Sequence, residues 1–104
     1  EDVFLQKIHE LVIENLDDAN FGYDQMAQTM LLSQSQLFRK VKALTGQSVS
    51  NHIRRIRLHK GKELLLNSQL TVAEIAYETG FTSPNYFSRS FSKDFGVPPI
   101  SVRK

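Results

Sequence analysis

The stretch from Val72 to Gly96 reads VAEIAYETGFTSPNYFSRSFSKDFG, and it matches an earlier stretch from Tyr23 to Gly46, which reads YDQMAQTMLLSQSQLFRKVKALTG. Each stretch has a short segment with helical apolar spacing, then a turn, then a longer segment with the same spacing. The matching positions are Met26 with Ile75, Ala27 with Ala76, Leu37 with Phe87, Arg39 with Arg89, Val41 with Phe91, and Gly46 with Gly96. The chain therefore carries a helix-turn-helix pattern twice, and such units commonly lay their second helix in a DNA major groove.

Residue types at the predicted helix ends support this division. Ser33-x-x-Gln36 and Thr71-x-x-Glu74 are capping boxes, each of which begins a helix. Ser83-Pro84 begins the last long helix, with proline at the first helical position. The turn of the second unit requires positive φ, and both long helices need a stop, so glycine is expected at these places: Gly80, Gly46 and Gly96.

Two further helices are predicted outside the repeat. Apolar residues at i, i+4, i+7 and i+8 from Phe4 predict an amphipathic helix over residues 3–16, and Ser48 to about Leu66 forms a long basic linking helix. Val97-Pro98-Pro99 cannot continue a helix. The sequence thus predicts an all-α fold with two helix-turn-helix subdomains joined by a long linking helix. Within one domain of residues 1–104, we assign 1–47 to the first helix and first unit, 48–67 to the linking helix, and 71–104 to the second unit.

Gly61 lies inside the predicted linking helix, where glycine costs roughly 0.5–1 kcal/mol relative to alanine. Two explanations stay open: another helix approaches closely at this position, or the linking helix simply tolerates glycine. On helix propensity alone, we expect Gly61→Ala to stabilise the domain by roughly 0.5–1 kcal/mol.

Composition excludes several classes of protein. A chain of 104 residues has the length of one domain, and it contains no cysteine for a disulfide or a thiolate metal site. No apolar run approaches the ~20 residues of a membrane span, and no signal-peptide pattern is present. No catalytic constellation or phosphate-binding glycine loop is visible, so we expect neither enzymatic activity nor a cofactor. His9, His52 and His59 have no carboxylate or cysteine at a spacing that would complete a metal site, so no metal site is expected. The chain begins without Met, and we expect it to be a domain of a longer protein.

Charge is distributed unevenly along the chain, although the net charge is only +2. Residues 1–24 hold seven acidic residues and one basic residue, whereas residues 25–62 hold eight basic residues and no acidic one. The basic residues of the second segment are Arg39, Lys40, Lys42, Arg54, Arg55, Arg57, Lys60 and Lys62. Such a block is typical of proteins that bind a polyanion, and its coincidence with a helix-turn-helix pattern favours DNA over a merely solvated face.

Helical geometry separates a buried face from an exposed face on each long helix of the repeat. Leu37, Val41 and Leu44 are predicted to face the core in the first unit, and Phe87 and Phe91 in the second. The opposite faces carry Ser35, Arg39 and Lys42 in the first unit, and Asn85, Arg89 and Ser92 in the second, with Ser88 beside them. Arginine pairs bidentately with guanine and asparagine with adenine, so Arg39, Arg89 and Asn85 are candidate base contacts. A phosphate contact or a surface salt bridge is the alternative for the two arginines.

Aromatic residues are concentrated in the second unit, and they are Phe81, Tyr86, Phe87, Phe91 and Phe95. They could form a stacking platform for single-stranded bases. Their helical spacing favours a role in the core instead.

These motifs, in this order and spacing, resemble the DNA-binding domain of the AraC/XylS family of bacterial transcription regulators, from about Phe4 to Arg103. The most specific stretch runs from Ile75-Ala76 to Pro98-Pro99. The family implies seven helices, two helix-turn-helix subdomains, a rigid linking helix, and sequence-specific binding near promoters. Carried over by position, the base-contacting residues would be Ser35, Gln36, Arg39, Asn85, Ser88 and Arg89. The expected phosphate contacts are Lys40, Lys42, Arg54, Ser92 and Lys93.

Three positions depart from the family pattern. Leu31 stands where a turn glycine is common, so the first turn is expected to be strained or its helix longer. Gly61 stands where alanine is usual. Val102 stands where an aromatic residue is common, so weaker docking of the last segment is expected. The acidic first helix resembles the link found when this domain ends a two-component regulator, such as a hybrid sensor kinase.

The leading interpretation is a cytoplasmic, DNA-binding domain of a transcription activator that needs no cofactor. Its expected partners are double-stranded promoter DNA and RNA polymerase, with no membrane contact by this domain. The alternative is a helical protein-interaction module whose basic face binds an acidic partner, and RNA binding is a third possibility. Preference for one duplex sequence would distinguish the first interpretation from the other two.

Overall fold

A computed structural model describes residues 2–103, and within that range the chain forms seven α-helices and no strand. Helices α1 to α3 precede the linking helix α4, and α5 to α7 follow it. Their bounds are α1 Asp2–Glu14, α2 Tyr23–Thr29, α3 Gln34–Thr45, α4 Val49–Asn67, α5 Val72–Glu78, α6 Pro84–Phe95 and α7 Pro99–Arg103. The predicted all-α fold and its two helix-turn-helix units, α2–α3 and α5–α6, are therefore confirmed.

Two hydrophobic cores form on opposite ends of α4. The first core joins α1, α2 and α3 to the amino-terminal half of α4, and its α4 members are Val49, Ile53 and Ile56. The second core joins α5 and α6 to the carboxy-terminal half, where Leu58 and Leu65 are its α4 members. A helix of this length rises about 28 Å. Because α4 packs into both cores, it is the common support of both units.

Local capping chemistry begins the helices where the sequence predicts. The side chains of Ser33 and Thr71 accept hydrogen bonds from the third helical residue, and both capping boxes are complete. Ser83 caps α6, with Pro84 at the first helical position. The three predicted glycines adopt positive φ, at +75° for Gly46, +84° for Gly80 and +79° for Gly96.

The turn of the first unit contains Leu31, which adopts a φ of +57°. Helix α2 ends at Thr29, so the turn is strained and the helix is not lengthened. The Leu31 side chain is 91% exposed and therefore contributes little burial to offset the strain.

We expect Leu31→Gly to raise the free energy of unfolding by about 1 kcal/mol, because glycine adopts left-handed φ without strain. Urea denaturation of the purified domain measures this change. Leu66→Gly is the matched control: Leu66 is also exposed, but it lies in the last turn of α4, where glycine should destabilise by about 0.5 kcal/mol. Equal destabilisation of both variants would contradict the account of the turn.

The structure argues against the expected stabilisation by alanine at Gly61, because it shows a close helix contact at this position. A Cβ added to Gly61 would lie 2.7 Å from Cε1 and 2.9 Å from Cζ of the Phe87 ring. That ring is fully buried between Phe81 and Phe91, so it has little room to move. The explanation by close approach is the correct one.

We now expect Gly61→Ala to lower the free energy of unfolding by about 1–3 kcal/mol, the usual cost of overpacking a core. The double variant Gly61→Ala, Phe87→Leu tests the mechanism, since it removes the two ring atoms nearest the new methyl group. The cost of the alanine should largely disappear in the Phe87→Leu background. A stabilising Gly61→Ala would show that propensity outweighs the contact.

Two apolar side chains lie outside the cores, against prediction. Leu44 is 36% exposed and lies in the last turn of α3. Tyr86 is 41% exposed and only the edge of its ring meets Phe81, with the centroids 5.3 Å apart. Phe81, Phe87, Phe91 and Phe95 belong to the second core or pack against it, as predicted, whereas Tyr77 of α5 is 55% exposed.

The carboxy-terminal helix α7 docks on the end of α4. Val102 packs against the second core despite its small size. The Arg103 guanidinium donates to the carbonyls of Leu65 at 3.1 Å and Ser68 at 3.2 Å, and also to that of Leu70. These bonds satisfy carbonyl groups at the end of α4 and hold the last segment in place.

Candidate nucleic-acid interface

Helix α3 presents a polar face to solvent. Leu37 and Val41 are fully buried, and the residues on the opposite side are exposed: Ser35, Gln36, Arg39 and Lys42. The Gln36 amide oxygen accepts a hydrogen bond from the Ser33 backbone at 2.9 Å. That oxygen serves the capping box, so a base contact by Gln36 would use its amide NH2 group.

Helix α6 repeats this arrangement. Phe87 and Phe91 are fully buried, which turns the polar side of the helix outward. Of the residues that the sequence assigns to DNA, Asn85, Arg89 and Lys93 are exposed, whereas Ser88 and Ser92 are half-buried.

Arg39 and Arg89 occupy equivalent positions on the exposed faces of the two helices. Within residues 2–103, neither side chain makes a hydrogen bond or an ion pair. By contrast, Arg54 and Arg57 on α4 make hydrogen bonds within the protein. The surface salt bridge considered as an alternative for Arg39 and Arg89 is therefore not present among the described residues.

Three of the expected phosphate contacts already interact within the protein. The Lys40 ammonium lies 4.7 Å from the centre of the Phe4 ring. Lys42 donates to the Gly46 carbonyl at 3.0 Å and so stabilises the end of its own helix. Arg54 donates to the side chains of Asn51 at 2.7 Å and Asp94 at 3.2 Å.

A groove of about 340 Å³ lies between α4 and α6. It is lined by Arg54, Arg89 and Lys93, which the sequence assigned to DNA, together with Asn51, Tyr86 and Ser90. The fold thus brings basic side chains of the linking helix and the second unit to one place.

Asp94 was not singled out from the sequence, although it pairs with Arg54, which lines this groove. One carboxylate oxygen lies 3.2 Å from Arg54, and the other lies 3.5 Å from Arg55. Forty residues separate Arg54 from Asp94, so no local spacing in the sequence could indicate the contact.

Arg57 lies in the basic block of the sequence, but it is not part of the surface. Arg57 is only 5% exposed, and its guanidinium donates hydrogen bonds to backbone carbonyl groups inside the protein. Burial lowers the pKa of this guanidinium, while the negative charges of Asp18 and Asp17 act in the opposite direction. Arg57 must therefore be removed from the polyanion-binding set.

The three histidines line a cavity of about 290 Å³ among α1, the end of α3 and α4. Burial, then the charges of Arg55 and His9, lower the pKa of His52 below its ordinary value. Within residues 2–103, no cluster of histidine, cysteine, aspartate and glutamate side chains is arranged to hold a metal ion.

The described part of the chain measures 41 × 23 × 22 Å. Its long axis exceeds one turn of DNA, about 34 Å. None of its helices combines the length and apolar character that crossing a membrane requires.

A family model described as "Helix-turn-helix domain" matches residues 26–104. This chain belongs to the AraC-type helix-turn-helix family. The AraC-type domain is a DNA-binding domain. The seven helices described in this chain agree with the all-α fold of solved members of the family. The DNA-binding domain of AdpA, a global transcriptional factor solved in complex with a target DNA, superimposes with a TM-score of 0.85. Their sequences are 25% identical, and the match covers 95% of this chain and 88% of that one.

Two curated relatives carry a similar AraC-type segment. The transcriptional activator RhaS of Escherichia coli is 35% identical over 88 residues, which cover 85% of this chain and 31% of RhaS. A protein named "Histidine kinase P4" from Formosa agariphila is 32% identical over 99 residues, covering 95% of this chain and 7% of that protein. The chain thus spans less than a third of either relative.

Proposed function

We propose that this domain binds one promoter sequence in double-stranded DNA, with α3 and α6 in successive segments of the major groove. The observation that carries the proposal is the pair of arginines at equivalent positions of the two helices, Arg39 and Arg89. Both are exposed, and neither interacts with the described part of the protein. An unpaired guanidinium on a groove-facing helix suits the bidentate contact with guanine O6 and N7.

The remaining contacts divide by chemistry. We assign base contacts to Ser35, Gln36, Arg39, Asn85, Ser88 and Arg89, which lie on the outward sides of α3 and α6. We assign phosphate contacts to Lys40, Lys42, Arg54, Ser92 and Lys93. Lys42 would exchange its hydrogen bond to a neutral carbonyl for one to a negatively charged phosphate group, whereas Arg54 bonds Asn51 and Asp94 through Nη2 and has its other nitrogens for a phosphate.

We infer that the parent protein is a cytoplasmic transcription activator, for which RNA polymerase is a second partner. RhaS, named as an activator, supports this inference. The segment in a histidine kinase supports a parent in which this domain is the output of a two-component system. The domain itself contributes no catalytic step to either scheme.

Selection from a random duplex library with the purified domain tests the proposal. We expect enrichment of one site with two dissimilar halves. With the four basic phosphate contacts assigned above, log affinity should fall against log salt with a slope of about −4. Enrichment of no sequence, together with a flat salt response, would favour the alternative of a protein-interaction module.

Arg39→Ala and Arg89→Ala should each weaken binding to the selected site by about 1–3 kcal/mol and relax preference at one base pair. Lys93→Ala is the matched control, because a phosphate contact should weaken all sequences alike and make the salt slope shallower by about one unit. Lys42→Ala is a poorer control, since it also removes the hydrogen bond to Gly46. Equal losses for an arginine variant on selected and scrambled DNA would reassign that arginine to phosphate.

A further inference from the structure

Arg57 occupies the middle of α4, between the two cores that α4 supports. Ile56 is the last α4 residue of the first core, and Leu58 is the first α4 residue of the second. The Arg57 side chain therefore leaves α4 at the boundary of the two units.

The guanidinium spans this boundary through both of its terminal nitrogens. Nη1 donates to the Leu16 carbonyl, after α1, and to the Thr79 carbonyl, in the turn between α5 and α6, at 2.9 Å. Nη2 donates to the carbonyls of Asp18 and Phe21, both at 3.0 Å. One nitrogen thus joins the segment between α1 and α2, residues 15–22, which we call the connector, to the turn between α5 and α6.

Gly80, beside Thr79, permits this close approach of the two units. A Cβ at Gly80 would overlap Nη1 of Arg57 and lie 2.5 Å from the Leu16 carbonyl oxygen. The two units therefore meet here through backbone and guanidinium, with no room for a side chain.

We propose that Arg57 is the positioning residue that fixes the orientation of α2–α3 relative to α5–α6. The continuous helix α4 sets the distance between the units, and Arg57 adds the bonds that prevent each unit from rocking about it. Lysine cannot replace it, because an ammonium group has three donors on one atom and cannot satisfy four carbonyls that surround a planar fork. The consequence for DNA rests on the function proposed above.

Residual dipolar couplings of the free domain test the proposal without DNA. In the wild type, one alignment tensor should fit the amides of both units, and two different tensors would overturn the proposal. In Arg57→Lys, which keeps the charge, the two units should require different tensors. Arg57→Gln, a neutral side chain with fewer donors, serves the same purpose if the lysine variant does not fold. A single tensor for either folded variant would also overturn the proposal.

Ile8→Ala is the control for lost stability, because it removes buried volume from the first core without touching the Arg57 bonds. Its urea midpoint shows whether its destabilisation matches that of Arg57→Lys. This variant should keep one tensor. Two tensors in Ile8→Ala would assign the rocking to general instability and overturn the role of Arg57.

Binding to paired and single half-sites then measures the functional consequence. Linking two binding units raises affinity by about 10²–10⁴-fold when their geometry suits both sites. Arg57→Lys should reduce this gain by about tenfold or more and leave single half-site affinity within about twofold of wild type. An unchanged gain would refute the role of Arg57 in DNA binding. Absence of the gain in the wild type would refute binding by both units, and the dipolar couplings would still decide the role of Arg57.

Discussion

Gly80→Ala is expected to lower the free energy of unfolding by about 3–5 kcal/mol, the sum of backbone strain and of lost hydrogen bonds to a charged group. Two effects combine at this residue. Its φ of +84° strains any side chain by about 1–2 kcal/mol. The new methyl group would also overlap the Arg57 guanidinium, so that this charge would have to leave its carbonyl partners. Urea denaturation, followed by circular dichroism, measures the loss.

Gly96→Ala is the matched control for this prediction. Gly96 has nearly the same φ, +79°, but a Cβ there would meet no heavy atom within 4 Å. Its substitution should cost only the backbone strain, about 1–2 kcal/mol. If the two alanine variants lose the same free energy, the contact between Gly80 and Arg57 contributes nothing measurable and the packing argument is wrong.

Inserting five base pairs between the half-sites should weaken binding by several kcal/mol, because the second half-site moves to the opposite side of the duplex. The two recognition helices of one chain are expected about 10 base pairs apart, centre to centre. The chain cannot follow the displaced site, since α4 packs into both cores. The DNA would have to twist or bend instead, which costs several kcal/mol of binding free energy. Titration of duplexes that differ only in the insertion measures the change.

A ten-base-pair insertion is the informative control. It returns the second half-site to the same side of the duplex but places it about 68 Å from the first, two turns of DNA. The described chain is 41 Å long, so affinity should not recover. Recovery would mean that the units separate, and indifference to both insertions would mean that one unit alone binds DNA. In that case we assign the binding to the second unit, whose turn keeps Gly80 where the first unit has Leu31.

The two half-sites should also differ in sequence. The first helix presents Ser35, Gln36, Arg39 and Lys42, whereas the second presents Asn85, Ser88, Arg89 and Ser92. At equivalent positions of the two helices only the arginines are the same, because the serines of the two sets stand at different positions. A palindromic site selected by the isolated domain would contradict this assignment of side chains to bases.

The sequence by itself determined the features that depend on neighbours within one or two helical turns. Helices α3 and α6 begin and end where the caps and glycines predict, because a capping box and a left-handed stop are local hydrogen-bond arrangements. The buried faces of both helices follow from the same local geometry, as Leu37 and Phe87 show. Because these features are local, the sequence alone was enough to recognise the repeat. The repeat in turn indicated the family and the two exposed arginines.

Only the tertiary structure decided what depends on residues far apart in the chain. Propensity predicted a gain at Gly61, but the Phe87 ring, 26 residues away, leaves no room for the added methyl group. Charge patterning placed Arg57 on the DNA-binding surface, but carbonyls of the connector and of Thr79 surround it. A guanidinium has the same charge on a surface and in a buried junction, and the groups that the fold places around it determine which role it has.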